Sequence, residues 1–272
     1  MNRIKNLFIY LKKKKRKALG IFLTAGDPSL EISFEILNNL KKNGADFIEI
    51  GMPFSDPMAD GPTIQESSQR ALKAKMNIEK CLSIVHKIRQ TDNETPIILM
   101  GYFNPIYKYG RENFVKKAIS NGVDGLIIVD LPPEEDNELY NYSEKNGLSF
   151  IRLVTPTTNE ERLKTILTDA TGFVYYISIT GITGTGMAKS DEVSKKLNQI
   201  RKYTTLPIIV GFGIRTVEQA NEMASISEGI VIGSAVVEKI KNSIDENGNP
   251  TNSTVSSCLK FVSDISQNIS HN

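Results

Sequence analysis

The 272-residue chain contains no tryptophan, only two cysteines and only two histidines. Cys81 and Cys258 lie far apart and in no metal-ligand spacing. They read as reduced core thiols of a cytosolic protein. His86 falls in a helical segment and His271 in the tail, so a histidine metal centre or triad has no material to draw on. No run of about 18 apolar residues is present, and no membrane span is expected. The first residues carry no apolar stretch ahead of a cleavage site, so no secretion leader is expected and the protein should be cytoplasmic. The sequons at Asn141, Asn252 and Asn268 then carry no meaning. A formal net charge of +2 gives no field that would favour nucleic acid or a membrane surface. The one charge run, Lys12 to Lys17, reads as a solvated helix end, where cations suit the dipole.

What is present is a repeat of short apolar runs and helical patterns. The runs are Ala18–Thr24, Phe47–Gly51, Pro96–Tyr102, Asp124–Asp130, Ser149–Val154, Phe173–Ser178, Pro207–Gly211 and Gly229–Gly233. They are β-branched and apolar on both faces, as buried parallel strands should be. A segment with helical spacing follows each of them. Eight such units predict a (β/α)8 TIM barrel in a single domain over 1–272, with an extra N-terminal helix from Asn2 to about Lys14 and a C-terminal helix. A doubly wound open sheet is the alternative, but the first turn, Ala25-Gly26-Asp27-Pro28, is not its glycine fingerprint. The polar stretch of about 242–257 reads as a mobile loop or linker.

In such barrels chemistry collects at the C-terminal strand ends. Glu49 sits inside the second strand, where an unpaired charge is expensive. Alternation puts Phe47, Glu49 and Gly51 on one face, so if Ile48 and Ile50 meet the helices Glu49 points into the barrel mouth. Asp60 follows on a loop carrying Pro53, Pro57 and Pro62; it is either a second acid at the same pocket or a helix N-cap. Gly211-Phe212-Gly213 after the seventh strand and Gly233-Ser234 after the eighth form either an anion site or ordinary turns. The loop Thr180 to Ala188, with three glycines and three threonines, can order around a ligand or serve as a linker. Phe22, Tyr102 and Tyr175 could line a pocket for a flat apolar ligand or pack in the core. No lysine falls at the strand ends, and no carboxylate–histidine cluster suggests a metal. Proton transfer by two carboxylates on a phosphate ester with an apolar ring is what remains.

The run Glu49 with PFSDPMADGPTIQ resembles the hallmark of tryptophan synthase alpha subunits. GYFNPI from Gly101, DGLIIVDLPPEE from Asp124, TGITG from Thr180 and VGFGI from Val210 match the family in order. The resemblance implies retro-aldol cleavage of indole-3-glycerol phosphate to indole and glyceraldehyde 3-phosphate. Glu49 would be the general acid/base, and Asp60 would hydrogen-bond the indole N–H. Phe22, Tyr102, Tyr175 and Thr183 would surround the indole and its side chain. Gly184, Gly213, Gly233 and Ser234 would hold the phosphate, with Gly211 and Phe212 adjoining. It further implies a beta-subunit partner in an alpha2beta2 tetramer, which carries pyridoxal phosphate and receives indole, with Pro53, Ser55, Asp56 and Pro57 at the interface. No cofactor or metal is implied in this chain. Met52 and Met58 depart from the aliphatic residues common in the hallmark, and Ile179-Thr180 stands where some members carry Arg-Ser. Rival readings are a non-catalytic activating subunit, or another phosphate-binding barrel such as indoleglycerol phosphate synthase or a phosphoribosyl isomerase.

Overall fold

A computed structural model describes residues 2–178, 190–211 and 213–269. Its strands are β1 (Ala18–Thr24), β2 (Phe47–Gly51), β3 (Ile97–Gly101), β4 (Gly125–Ile128), β5 (Ser149–Phe150), β6 (Arg152–Val154), β7 (Val174–Ile177), β8 (Ile208–Gly211) and β9 (Gly229–Ile232). All pair in parallel, in the order β5-β4-β3-β2-β1-β9-β8-β7-β6. The two ends of that order are halves of one expected strand. Ser149 and Phe150 pair with Gly125 and Leu126, whereas Arg152 to Val154 pair with Val174 to Tyr176. The run changes partners at Ile151, whose N–H still reaches Leu126 O at 2.9 Å. The eight expected strands are thus nine, joined by eight ladders, and the run 149–154 is the seam that draws the sheet into a barrel.

The helices are α1 (Arg3–Lys14), α2 (Leu30–Asn39), α3 (Pro62–Lys73), α4 (Ile78–Arg89), α5 (Phe103–Tyr109), α6 (Arg111–Asn121), α7 (Asn137–Lys145), α8 (Glu160–Thr168), α9 (Ser190–Ile200), α10 (Val217–Ile226), α11 (Ser234–Lys241) and α12 (Thr254–Asn268). The short α5 was not expected, since FNPIYKY is too brief to show a period. Pro132-Pro133 opens only a 3-10 turn, and α7 starts after it. The polar stretch is a correction. Its last residues belong to α12, and Asp245 Oδ1 accepts from Asn247 N at 2.9 Å and Asn249 N at 2.8 Å, which ties the turn ahead of that helix. None of the helices among the described residues is long and apolar enough to cross a membrane.

Two hydrophobic clusters follow from the period of two. Leu19, Ile21, Leu23, Ile48 and Ile50 face the helices. Ala18, Phe22, Phe47, Ile98, Phe173 and Tyr175 fill the barrel. Gly20 is what admits Phe47, because a Cβ there would stand 2.2 Å from the ring. Helix α1 closes the N-terminal end: Ile4 and Leu11 are buried in the inner cluster, and Phe8 meets Phe173 edge to face at 6.0 Å. The lysine run ends in anchors rather than in solvent. Arg16 pairs with Asp46 at 3.2 Å, and Lys17 Nζ donates to Ser227 O at 2.7 Å.

At that same end, acids just ahead of strands accept the N–H of a neighbouring strand. Asp46 takes Leu19 N at 3.0 Å, Asp124 takes Ile97 N at 2.8 Å, and Glu228 takes Ile208 N at 2.9 Å. Asp124 also binds Arg3 at 2.9 Å and Arg89 at 2.7 Å, joining α1 and α4 to the base of β4. Removing one partner from such a buried set leaves charge uncompensated. Asp124→Asn is expected to lower stability by about 3 kcal/mol in urea unfolding. A loss under about 1 kcal/mol would mean that water, not Asp124, satisfies Arg89.

Candidate active site

A cavity opens at the C-terminal ends of the strands. Phe22 and Tyr175 give it aromatic walls, Ile64, Met100, Ile214 and Val231 aliphatic ones, and Asp60 a carboxylate. Gly213, Gly233 and Ser234 form a glycine-rich end. The four aliphatic residues escaped the sequence reading, although Met100 and Val231 lie at strand ends on the inward register of their strands. An apolar slot with one acid and one glycine-rich end suits a ligand that is flat at one end and anionic at the other.

Glu49 stands on β2 beside Phe22 in the strand register, and its neighbours Phe47, Ile48 and Ile50 divide inward and outward as alternation requires. It is fully buried, and neither carboxyl oxygen has a hydrogen-bond partner among the described residues. Burial pushes its pKa from 4.5 up to about 8, so the side chain holds a proton at neutral pH. Its charge in turn acts on the buried Tyr175, whose phenol is raised well above the usual range, first by desolvation and then by Glu49. Glu49 is not itself on the cavity wall. It lies next to two residues that are, Phe22 by register and Tyr175 by electrostatic contact.

Asp60 is not an N-cap. The cap of α3 is Gly61, with Pro62 in the first turn and no side-chain cap bond. The Asp60 carboxylate lies on the cavity, and its Oδ2 accepts from the Tyr102 hydroxyl at 3.0 Å. Burial raises its pKa to about 6, against the lowering effect of Tyr102. The two acids therefore differ, one proton-holding near neutrality and the other mostly ionised. Tyr102 is buried and does not line the cavity wall; its hydroxyl bond to Asp60 links it to a residue that does.

Helix α3 carries this loop and is clamped to the end of β1. Arg70 grips the buried Asp27 with bonds of 2.6 and 2.8 Å, and Thr24 and Ser67 hydroxyls meet at 2.6 Å. Gln65 Nε2 donates to Asp60 O at 2.8 Å. Sequence reading missed Asp27 and Arg70; a buried acid beside Pro28 was the available signal.

At the other end, Gly213 has φ +81, a backbone that favours glycine, and Gly233 precedes the first turn of α11 with Ser234. Both glycines and Ser234 face the cavity, Gly233 and Ser234 at the positive end of the α11 dipole. Gly211 plays another part, because a Cβ there would fall 2.1 Å from the Tyr175 hydroxyl; it makes room for that ring. Thr183, Gly184 and Phe212, with the rest of the Thr180 to Ala188 loop, lie outside the described residues. On the segment expected to meet a partner, Pro53 is buried, Pro57 is half-buried, and Ser55 and Asp56 are exposed, as is Met58 at 74%. Among the described residues no group of three His, Cys, Asp or Glu could hold a metal.

The proton on Glu49 has a thermodynamic signature. An acid whose folded pKa is raised loses stability as pH rises from its unfolded value, here 4.5, towards about 8, and the loss levels off above that. Glu49→Gln removes this loss, so relative to the parent it should gain roughly several kcal/mol between pH 5 and pH 8. Denaturant unfolding of both proteins at the two pH values measures it. An equal difference at both would show that Glu49 is not held neutral by burial.

The sequence model of the family described as tryptophan synthase alpha chain matches residues 8–266. A solved tryptophan synthase subunit alpha from Legionella pneumophila str. Paris is 38% identical, with a TM-score of 0.90, over 99% of this chain and 98% of that one. A solved chain of Aquifex aeolicus VF5 is 35% identical, with a TM-score of 0.86, over 99% and 98%. A chain of the aminoacrylate-bound tryptophan synthase of M. tuberculosis is 27% identical, with a TM-score of 0.87, over 99% and 100%. With its barrel, its carboxylate pair and its match from residue 8 to residue 266, the chain belongs to the tryptophan synthase alpha chain family.

Proposed function

We propose that the chain is a cytoplasmic lyase that cleaves indole-3-glycerol phosphate to indole and D-glyceraldehyde 3-phosphate. The observation that carries this reading is Glu49: a carboxyl that keeps its proton at neutral pH and, among the described residues, has no partner to hold it back. In the proposed reaction Glu49 gives its proton to indole C3, and positive charge develops on the ring nitrogen. The carboxylate left behind is desolvated and unpaired, hence a strong base. It takes the proton of the hydroxyl on the adjoining glycerol carbon. A carbonyl forms there, the C–C bond breaks, and its electrons return to the ring to give neutral indole. Glu49 ends protonated again, carrying the hydroxyl's proton in place of the one it gave to C3.

Asp60, largely ionised at neutral pH, would accept the ring N–H and grow more favourable as that nitrogen becomes positive. Phe22 and Tyr175 would flank the indole. Gly213, Gly233 and Ser234 would receive the phosphate, with Thr183, Gly184, Gly211 and Phe212 proposed to adjoin the ligand. The ring is its own electron sink, so the steps assigned here need neither metal nor Schiff base. Condensation of indole with L-serine, and the pyridoxal phosphate that it requires, are assigned to a beta-subunit partner in an alpha2beta2 tetramer. Pro53, Ser55, Asp56 and Pro57 would face that partner.

The test is indole release from indole-3-glycerol phosphate, with and without a beta subunit; no release in either condition would leave only a binding subunit. Glu49→Gln should reduce kcat by at least ~10²–10⁴-fold while substrate still binds. Turnover like that of the parent would sink the acid/base assignment. Asp60→Asn should lower kcat more than it weakens binding, by about 10²-fold or more. A variant that merely melts earlier would place Asp60 in the scaffold instead.

A further inference from the structure

Tyr102 poses a question that the cavity does not answer. Its side chain is buried and off the cavity wall, so a phenylalanine would fill the same space. A buried hydroxyl needs partners, and both of its partners lie on one loop. The Tyr102 hydroxyl accepts from Ala59 N–H at 3.0 Å and donates to Asp60 Oδ2 at 3.0 Å. Two consecutive residues of the acid loop are thereby fastened to the end of β3. The loop's other attachments hold backbone or ring rather than the Asp60 carboxylate: Met52 N bonds Met100 O at 2.8 Å, Gln65 Nε2 donates to Asp60 O at 2.8 Å, and the Phe54 ring leans on Tyr102 at 5.3 Å and 34°.

We propose that Tyr102 is a positioning residue for Asp60, its hydroxyl holding one carboxylate oxygen so that the other is presented to the ligand's ring nitrogen. This rests on the reaction proposed above and adds to it the group that aims its second acid. Among the described residues Asp60 Oδ1 has no donor, which leaves it to the ligand. An ionised carboxylate accepting one charge-assisted bond at Oδ2 keeps a fixed rotamer and a lower pKa than burial alone would give. Burial raises the Asp60 carboxyl and Tyr102 lowers it, while the Tyr102 phenol is raised first by burial and then by Asp60 and Asp130, against the lowering effect of the Ala59 N–H. Because Phe54 touches the same ring, the segment from Pro53 to Pro57 bears on Asp60 through one aromatic contact.

The experiment follows the Asp60 carboxyl carbon by NMR titration in the parent and in Tyr102→Phe, with Asp60→Asn to assign the signal. Loss of the hydroxyl should move the Asp60 midpoint up by about one pH unit. The acid limb of kcat for indole release should move with it, kcat should fall about tenfold, and KM should change less than about threefold. An unmoved midpoint in a folded variant overturns the proposal. A moved midpoint in a protein that releases no indole supports the positioning role and places the failure in the proposed reaction.

Discussion

The dehydration of one carboxylate is the constraint around which this barrel is arranged. A ring of aliphatic and aromatic side chains excludes water from the barrel interior, and Glu49 is built into that ring with no hydrogen bond among the described residues to offset the loss. Such a group survives by keeping its proton. Everything near it follows that condition: Phe22 beside it in the register, Tyr175 within reach of its charge, and Gly211 standing aside to let the Tyr175 ring in.

The two ends of the barrel treat acids in opposite ways. At the N-terminal end, Asp46, Asp124 and Glu228 are each tied to a strand N–H and to at least one cation. At the C-terminal end, Glu49 has no partner among the described residues and Asp60 has a phenol. Satisfied charges hold the strands in register; unsatisfied ones store a readiness to exchange protons. Asp27, locked to Arg70, shows that the upper rim has its own structural pair, and that pair anchors α3 rather than the ligand.

Most of this was legible because strands carry a strict period of two. Alternation alone sends Glu49 inward and Ile48 and Ile50 outward, and spacing of apolar runs gives the barrel. What escaped notice depends on partners far apart in sequence. No local rule says that Ser149–Val154 must change neighbours at Ile151, since the switch is a property of ring closure. Asp60 and Gly61 compete for the start of α3 in the sequence, and only the Tyr102 bond settles that Asp60 turns to the cavity. Likewise Gly211 looks like its neighbours in a glycine turn until the Tyr175 hydroxyl is seen against it.

The N-terminal helix has a consequence for how the chain comes together. Helix α1 precedes every strand in the chain, yet it finds its apolar partners inside a ring that includes Phe173, and its Arg3 pairs with Asp124. These contacts span much of the chain, and such distant pairings are slow to form and late to reward the ordering they require. Helix α1 must therefore stay unplaced, its Leu7 and Phe8 without their cluster, until more than half of the barrel exists. The stopper at the bottom of the barrel is made before the strands it closes and can be seated only after most of them.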